Sequence, residues 1–189
     1  TATEAGTYNL TVTGANGCQS FASAEVILDN AAPGATAQGG TLNCHVLEIV
    51  LMGTGNGAYA WTGPNGFTST LQNPATTEAG TYNLTVTGAN GCQSFASADV
   101  ILDNTLPGAS AVGGTLNCTV LEIILMGTGN GTYAWTGPNG FTSALQNPTV
   151  SVAGTYDLTV TGANGCMSMA SAEVLLDSNA PGAQAAGGT

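Results

Sequence analysis

Apolar and polar residues alternate along Gly80–Thr87: Tyr82, Leu84 and Val86 share one parity, Thr81, Asn83, Thr85 and Thr87 the other. A period of two describes a strand with one buried and one wet face. Gly88-Ala89-Asn90-Gly91 follows, residues that tolerate positive φ, and a second run from Cys92 to Leu102 begins at once. The stretch therefore predicts a β-hairpin. G-T-Y-N-L-T-V-T-G-A-N-G-C begins at Gly6 and at Gly80, and again at Gly154 with Asp157 in place of Asn, an equal step of 74 positions each time. A fixed interval of this kind marks a tandem array.

The rest of the repeat reads as further short strands. In Thr41–Met52, Leu42, Cys44 and Val46 share one parity and Leu47, Ile49 and Leu51 the other, which predicts a bulge or a change of sheet near Val46. G-T-G-N-G is a turn, Tyr59-Ala60-Trp61 opens the next strand, and G-P-N-G at 63–66 turns it into Phe67–Leu71. Gln72-Asn73-Pro74 ends that strand, and Asp103-Asn104-Thr105-Leu106-Pro107 links one repeat to the next. No helical stripe of useful length occurs, so the pattern predicts an all-β sandwich or barrel. The divisions expected are 1–33, the later part of a repeat; 34–107 and 108–181, two complete repeats; and 182–189, the start of another. The two complete repeats agree at 56 of 74 positions. Thr1 aligns with Ala75 and Thr189 with Thr115, so the chain reads as a stretch of a longer array.

Charge narrows the partners. There are 11 acidic residues and no Lys or Arg among 189. Nucleic-acid backbones and anionic lipid surfaces are held through basic groups, so neither nucleic acid nor direct membrane binding is expected. Lys–Asn isopeptide cross-links and trypsin-type cleavage are excluded with them. Self-association, within a filament for example, has to come from strand edges or apolar contacts.

The five cysteines are Cys18, Cys44, Cys92, Cys118 and Cys166, at intervals that alternate between a shorter and a longer one. No C-x-x-C occurs and there is a single His, so the pattern is that of disulfides rather than zinc, in a compartment outside the cytosol. Two pairings are open, within a repeat or across a boundary. The shorter interval, Cys18 to Cys44 or Cys92 to Cys118, contains the linker. Cys44–Cys92 and Cys118–Cys166 are therefore preferred, with Cys18 left odd.

Glu78-Ala79-Gly80-Thr81-Tyr82-Asn83-Leu84 resembles the approach to the F strand of immunoglobulin-like domains, with Tyr82 at the tyrosine-corner position and Trp61 like the core Trp of strand C. The combination W-T-G-P-N-G-F-T-S, Q-N-P, A-G-T-Y and T-V-T-G-A-N-G-C resembles the PKD-like or Ig-like tandem repeats of large Bacteroidota surface adhesins, type 9-secreted proteins that include gliding-motility adhesins. The resemblance spans the chain. It implies an array of small Ig-like or PKD-like β-sandwiches in an extracellular, cell-surface stalk, filament or adhesin, whose partners are neighbouring repeats and other copies.

Individual residues suggest sharper chemistry. Trp61 and Trp135 with Tyr59 and Tyr133 would make a sugar-stacking platform if exposed, and a repeated carbohydrate- or surface-binding module acting through avidity is the alternative function. A core role is preferred, because large aromatics dominate small sandwich cores. His45 aligns with Thr119, so no function shared by the repeats depends on it. Glu48 and Glu122 are single carboxylates without a second acid, and no nucleophile–His pair exists, so no catalytic residue is assigned. Asp29, Asp103 and Asp177 end the last strand of each repeat just before Pro33, Pro107 and Pro181, as candidate Ca²⁺ ligands. Ca²⁺ takes six or more oxygens and each junction offers one Asp with one Asn or Ser, so a turn-forming Asx is preferred and no cofactor is expected. N-x-[ST] sequons stand at Asn9, Asn83, Asn117 and Asn130.

Overall fold

The structure is a computed structural model that describes residues 2–179 together with 182 and 185. The expected repeat start at 182–189 thus lies largely outside the described residues. Among these, apart from two single 3-10 turns, all regular structure is β. The chain forms two compact units, Thr1–Gly40 with Val50–Val100, and Thr41–Ile49 with Ile101–Thr189.

In the second unit a five-stranded sheet runs in the order Gly114–Leu116, Met167–Leu176, Gly154–Thr161, Thr132–Gly137, Phe141–Ser143. The Gly154–Thr161 and Met167–Leu176 hairpin is antiparallel, with Gly154 opposite Val174 and Thr161 opposite Met167. Gly114–Leu116 joins the same sheet in parallel, Gly114 opposite Val174 and Leu116 opposite Leu176. Two short ladders complete the sandwich, Ser110–Val112 with Met126–Thr128 and Ile123–Ile124 with Thr149–Val150. Alternation along Gly154–Thr161 does what the pattern predicts. Tyr156, Leu158 and Val160 are buried with Trp135, Leu125 and Val174, while Thr155 and Asp157 face solvent.

The first unit holds the paired part of the matching hairpin, Gly80–Thr87 on the first residues of the strand Gln93–Asp103, with Gly80 opposite Val100 and Thr87 opposite Gln93. Its core is Leu51, Trp61, Tyr82, Leu84, Val86, Ala98 and Val100. Gly53 lies against this core because a Cβ there would come within 2.9 Å of the Trp61 ring. The hairpin Gly6–Thr13 with Gln19–Val26 has the same register. Its Tyr8, Leu10 and Val12 are exposed.

The predicted change of sheet near Val46 takes the form of a clean break. Gly40–Asn43 is the edge of another five-stranded sheet, in the order Gly40–Asn43, Gln93–Asp103, Gly80–Thr87, Ala58–Thr62, Thr68–Ser69, and Ile49–Val50 pairs with Ala75–Thr76 in a separate ladder. Asn43 ends the first strand: its Oδ1 accepts from the amides of His45 (2.9 Å) and Val46 (2.6 Å), and its own amide donates to the Val46 carbonyl. Leu47, expected on the apolar parity, is 71% exposed in the crossing loop. The loop backbone is committed to the Asx turn, so strand parity no longer governs it.

Candidate functional site

The core aromatics offer no binding platform. Trp61 and Trp135 are each 1% exposed, and their indole N–H groups donate to the carbonyls of Gln72 (3.2 Å) and Gln146 (3.3 Å). The Tyr59 and Tyr133 hydroxyls donate to the carbonyls of Gly55 and Gly129. Tyr82 and Tyr156 donate to carbonyls four residues upstream, Glu78 (2.9 Å) and Val152 (2.8 Å), as a tyrosine corner requires. Burial raises the Tyr156 phenol above its ordinary value, with the Val152 hydrogen bond acting in the opposite direction. A cleft of about 470 Å³ in the second unit is lined by Glu122, Pro138, Phe141, Val152 and Tyr156. Hydroxyls of Thr149, Ser151 and Tyr156 also line it, with no second carboxylate and no His among the lining residues.

The densest polar chemistry is at the turn of the Gly154–Thr161 hairpin. Gly162 donates to the Cys166 carbonyl (2.8 Å) and Gly165 to the Gly162 carbonyl (3.0 Å), with Gly165 at φ 77. The positive φ falls on this glycine and not on the asparagine before it. Asn164 instead acts at both ends of its amide. Its Oδ1 accepts from the Cys166 amide (3.1 Å), and its Nδ2 donates to Asp103 Oδ1 (3.1 Å) and the Thr105 carbonyl (2.9 Å). One side chain therefore orients the cysteine and holds the linker. Asn90 repeats the bracket in the first unit, on Asp29 Oδ1 (3.0 Å), the Ala31 carbonyl (2.9 Å) and the Cys92 amide (3.0 Å). The positive φ expected of G-A-N-G falls on its second glycine, while the side-chain role of its Asn carries no signal in residue order.

The linker aspartates serve as turn acceptors. Asp29, Asp103 and Asp177 each accept, through Oδ1, the amide two residues on: Ala31, Thr105 and Asn179. The Thr105 side chain, then its amide, then Asn164 hold the Asp103 carboxyl below its usual value. Among the described residues no three His, Cys, Asp or Glu side chains gather as a metal set.

The cysteines pair differently from the expectation. Cys44 is joined to Cys166, 122 residues away, with Cα atoms 4.9 Å apart, while Cys18, Cys92 and Cys118 are free. The expected Cys118–Cys166 bond is ruled out by the sheet. Leu116 pairs in parallel with Leu176, so Cys118 stands at the far end of Met167–Leu176 from Cys166. Ten residues at roughly 3.3 Å each separate the two by about 30 Å, whereas a disulfide spans at most about 7 Å between Cα atoms. The expected Cys44–Cys92 pairing fails with it, because Cys44 is committed to Cys166. The bridge ties segment 41–49 into the second unit, so the compact units do not coincide with repeats divided at Pro33 and Pro107.

No protein-family model matches the sequence, and no curated protein matches it. Among solved structures, the chain is similar to a Ca²⁺-stabilised adhesin that helps an Antarctic bacterium reach out and bind ice. That match has a TM-score of 0.55 and 13% identity over 93% of this chain and 58% of that one. A 1.5-MDa bacterial ice-binding adhesin, solved for its retention at the host cell surface, matches with a TM-score of 0.55 and 11% identity over 90% of this chain and 74% of that one. The chain thus spans somewhat more than half the length of the first adhesin structure. The likeness is one of fold, an all-β sandwich architecture.

Proposed function

We propose that this chain is a structural repeat region of an extracellular stalk, filament or adhesin, in which small sandwiches act as covalently secured spacers. The observation that carries this reading is the Cys44–Cys166 bond, which joins residues of two successive sequence repeats. A bond placed there secures segment 41–49 to the hairpin turn of the following sequence repeat, inside the second compact unit. The Asn164 bracket on Asp103 and Thr105 serves the same end without covalent chemistry. The adhesin neighbours favour a cell-surface or extracellular site, and the residue pattern resembling type 9-secreted Bacteroidota repeats narrows the source in the same direction. No described helix is long and apolar enough to cross a membrane. Partners in this reading are other repeats of the same chain and other copies. With no Lys or Arg, nucleic acid is not among them.

The carbohydrate-binding alternative loses its motivating residues, since Trp61 and Trp135 form the cores of their sandwiches. Small-angle scattering tests the spacer reading. A rod-like profile about 100 Å long is expected, from strand lengths of small sandwiches at roughly 3.3 Å per residue. A globular profile would overturn it and return attention to binding clefts.

A further inference from the structure

The pairing in this chain follows a rule that extends to the unpaired cysteines. Each complete repeat carries two cysteines, one in a loop and one at a hairpin turn. The loop cysteines are Cys44 and Cys118, both in T-L-N-C followed by V-L-E-I one residue later. They are displayed in the same way: Asn117 Oδ1 accepts from the amides of Thr119 (2.9 Å) and Val120 (2.7 Å), and its amide donates to the Val120 carbonyl. This reproduces the Asn43 turn around Cys44 bond for bond. The hairpin cysteines Cys92 and Cys166 also share their turn. Gly88 donates to the Cys92 carbonyl (2.8 Å), Gly91 sits at φ 79, and Asn90 holds the Cys92 amide as Asn164 holds that of Cys166.

One loop cysteine and one hairpin cysteine are already bonded, and their separation of 122 residues is one whole repeat plus the interval between loop and hairpin positions. A loop cysteine thus takes the hairpin cysteine of the following repeat. Bonding inside a repeat is excluded by the length of the strand that separates the two positions. We infer that Cys118 and Cys92 are halves of this same bond: Cys118 takes the hairpin cysteine of another repeat, and Cys92 the loop cysteine of another. The array is then a ladder of cross-repeat disulfides, one for each pair of neighbours. The inference rests on the repeat reading alone and is independent of whether the array adheres to anything.

Formation requires an oxidant, for which a small-molecule disulfide suffices. The thiolate of one cysteine attacks it, forming a mixed disulfide and releasing one thiol. The second cysteine's thiolate then attacks the mixed disulfide, closing the protein bond and releasing the second thiol. Two protein thiols are oxidised, one small disulfide is reduced, and two protons move with the electrons.

The partner repeat has two sources, the same chain prolonged or a second copy. A chain lengthened by one copy of residues 108–181 after Pro181, refolded in dilute solution with oxidised and reduced glutathione, tests the first. Non-reducing peptide mapping should find Cys44–Cys166 and also Cys118 bonded to the added hairpin cysteine. Free thiols should stay at three although two cysteines are added. A control with the added hairpin cysteine replaced by Ser should leave Cys118 free and Cys44–Cys166 intact. The unlengthened chain, concentrated under the same buffer, tests the second source: covalent multimers linking Cys118 to Cys92 or Cys18 obey the same rule in trans. Free thiols rising by two in the lengthened chain, or Cys118 bonded to another loop cysteine, would overturn the inference. Either result would leave the proposed spacer function to be judged by scattering.

Discussion

Trp135 and its counterpart Trp61 show how much one side chain carries in a sandwich this small. Each fills the centre of its core, and each has its only polar atom bonded to a backbone carbonyl. Trp135→Ala is expected to cost about 3–5 kcal/mol, the usual range for a buried Trp, read as a fall in the urea midpoint. In the unaltered chain, iodide should scarcely quench either indole. At Asp103 the sign of the pH effect follows from its lowered carboxyl pKa. The ionised form is favoured in the fold, so its stabilisation is present above about pH 4 and is lost as pH falls further. The Asn164 side-chain amide resonances should report this step, shifting on acidification below about pH 4. Asp103→Ala should show the acid-state resonances at every pH.

At the level of the element, the hairpin is both a structural and a presenting device. Its alternation places Tyr156, Leu158 and Val160 in the core, and its turn aims Cys166 at Cys44. Gly165 cannot be enlarged, since a Cβ there would fall 2.7 Å from that of His45 and φ is positive. Cys166→Ser removes the bond without touching the strands. Closing a loop of 122 residues is worth roughly 5 kcal/mol in the chain-entropy treatment. The variant should therefore unfold at lower urea, with losses in the range of about 2–5 kcal/mol. Hydrogen exchange should locate the effect. Amides of 41–46 are expected to lose protection while those of Tyr156, Leu158 and Val160 keep theirs. Uniform loss across the sheet would mean that the bond holds the sandwich itself.

For the whole molecule, the charge of −11 has no Lys or Arg to offset it. A divalent cation is the obvious remedy, yet Asp29 and Asp103 have already committed an oxygen to amide donors. Among the described residues neither gathers with two further acidic side chains toward a shell of six or more oxygens. Chelation is therefore expected to leave the melting temperature within about a degree of its value in Ca²⁺, because an ion that does not bind the native state does not stabilise it. A fall of many degrees, abolished by Asp103→Ala, would reverse that expectation.

Much of the strand pattern and the buried face of the hairpin could be read directly from residue order. The burial of Tyr82, Leu84 and Val86 follows from their shared parity, and the Gly-rich turn from its composition, because both depend only on near neighbours. Trp61 is legible as a core residue on a different ground, that large aromatics dominate small sandwich cores. The tertiary structure alone decided the cysteine pairing. The alternating intervals between cysteines carry no information about which end of a strand each one occupies. Parallel pairing of Gly114–Leu116 with Met167–Leu176 puts the loop and hairpin positions at opposite ends of one sandwich. Nor could spacing reveal that Asn164 reaches Asp103, 61 residues earlier in the chain. A hairpin turn is a local event, whereas a bond between distant segments depends on the tertiary packing that brings them together.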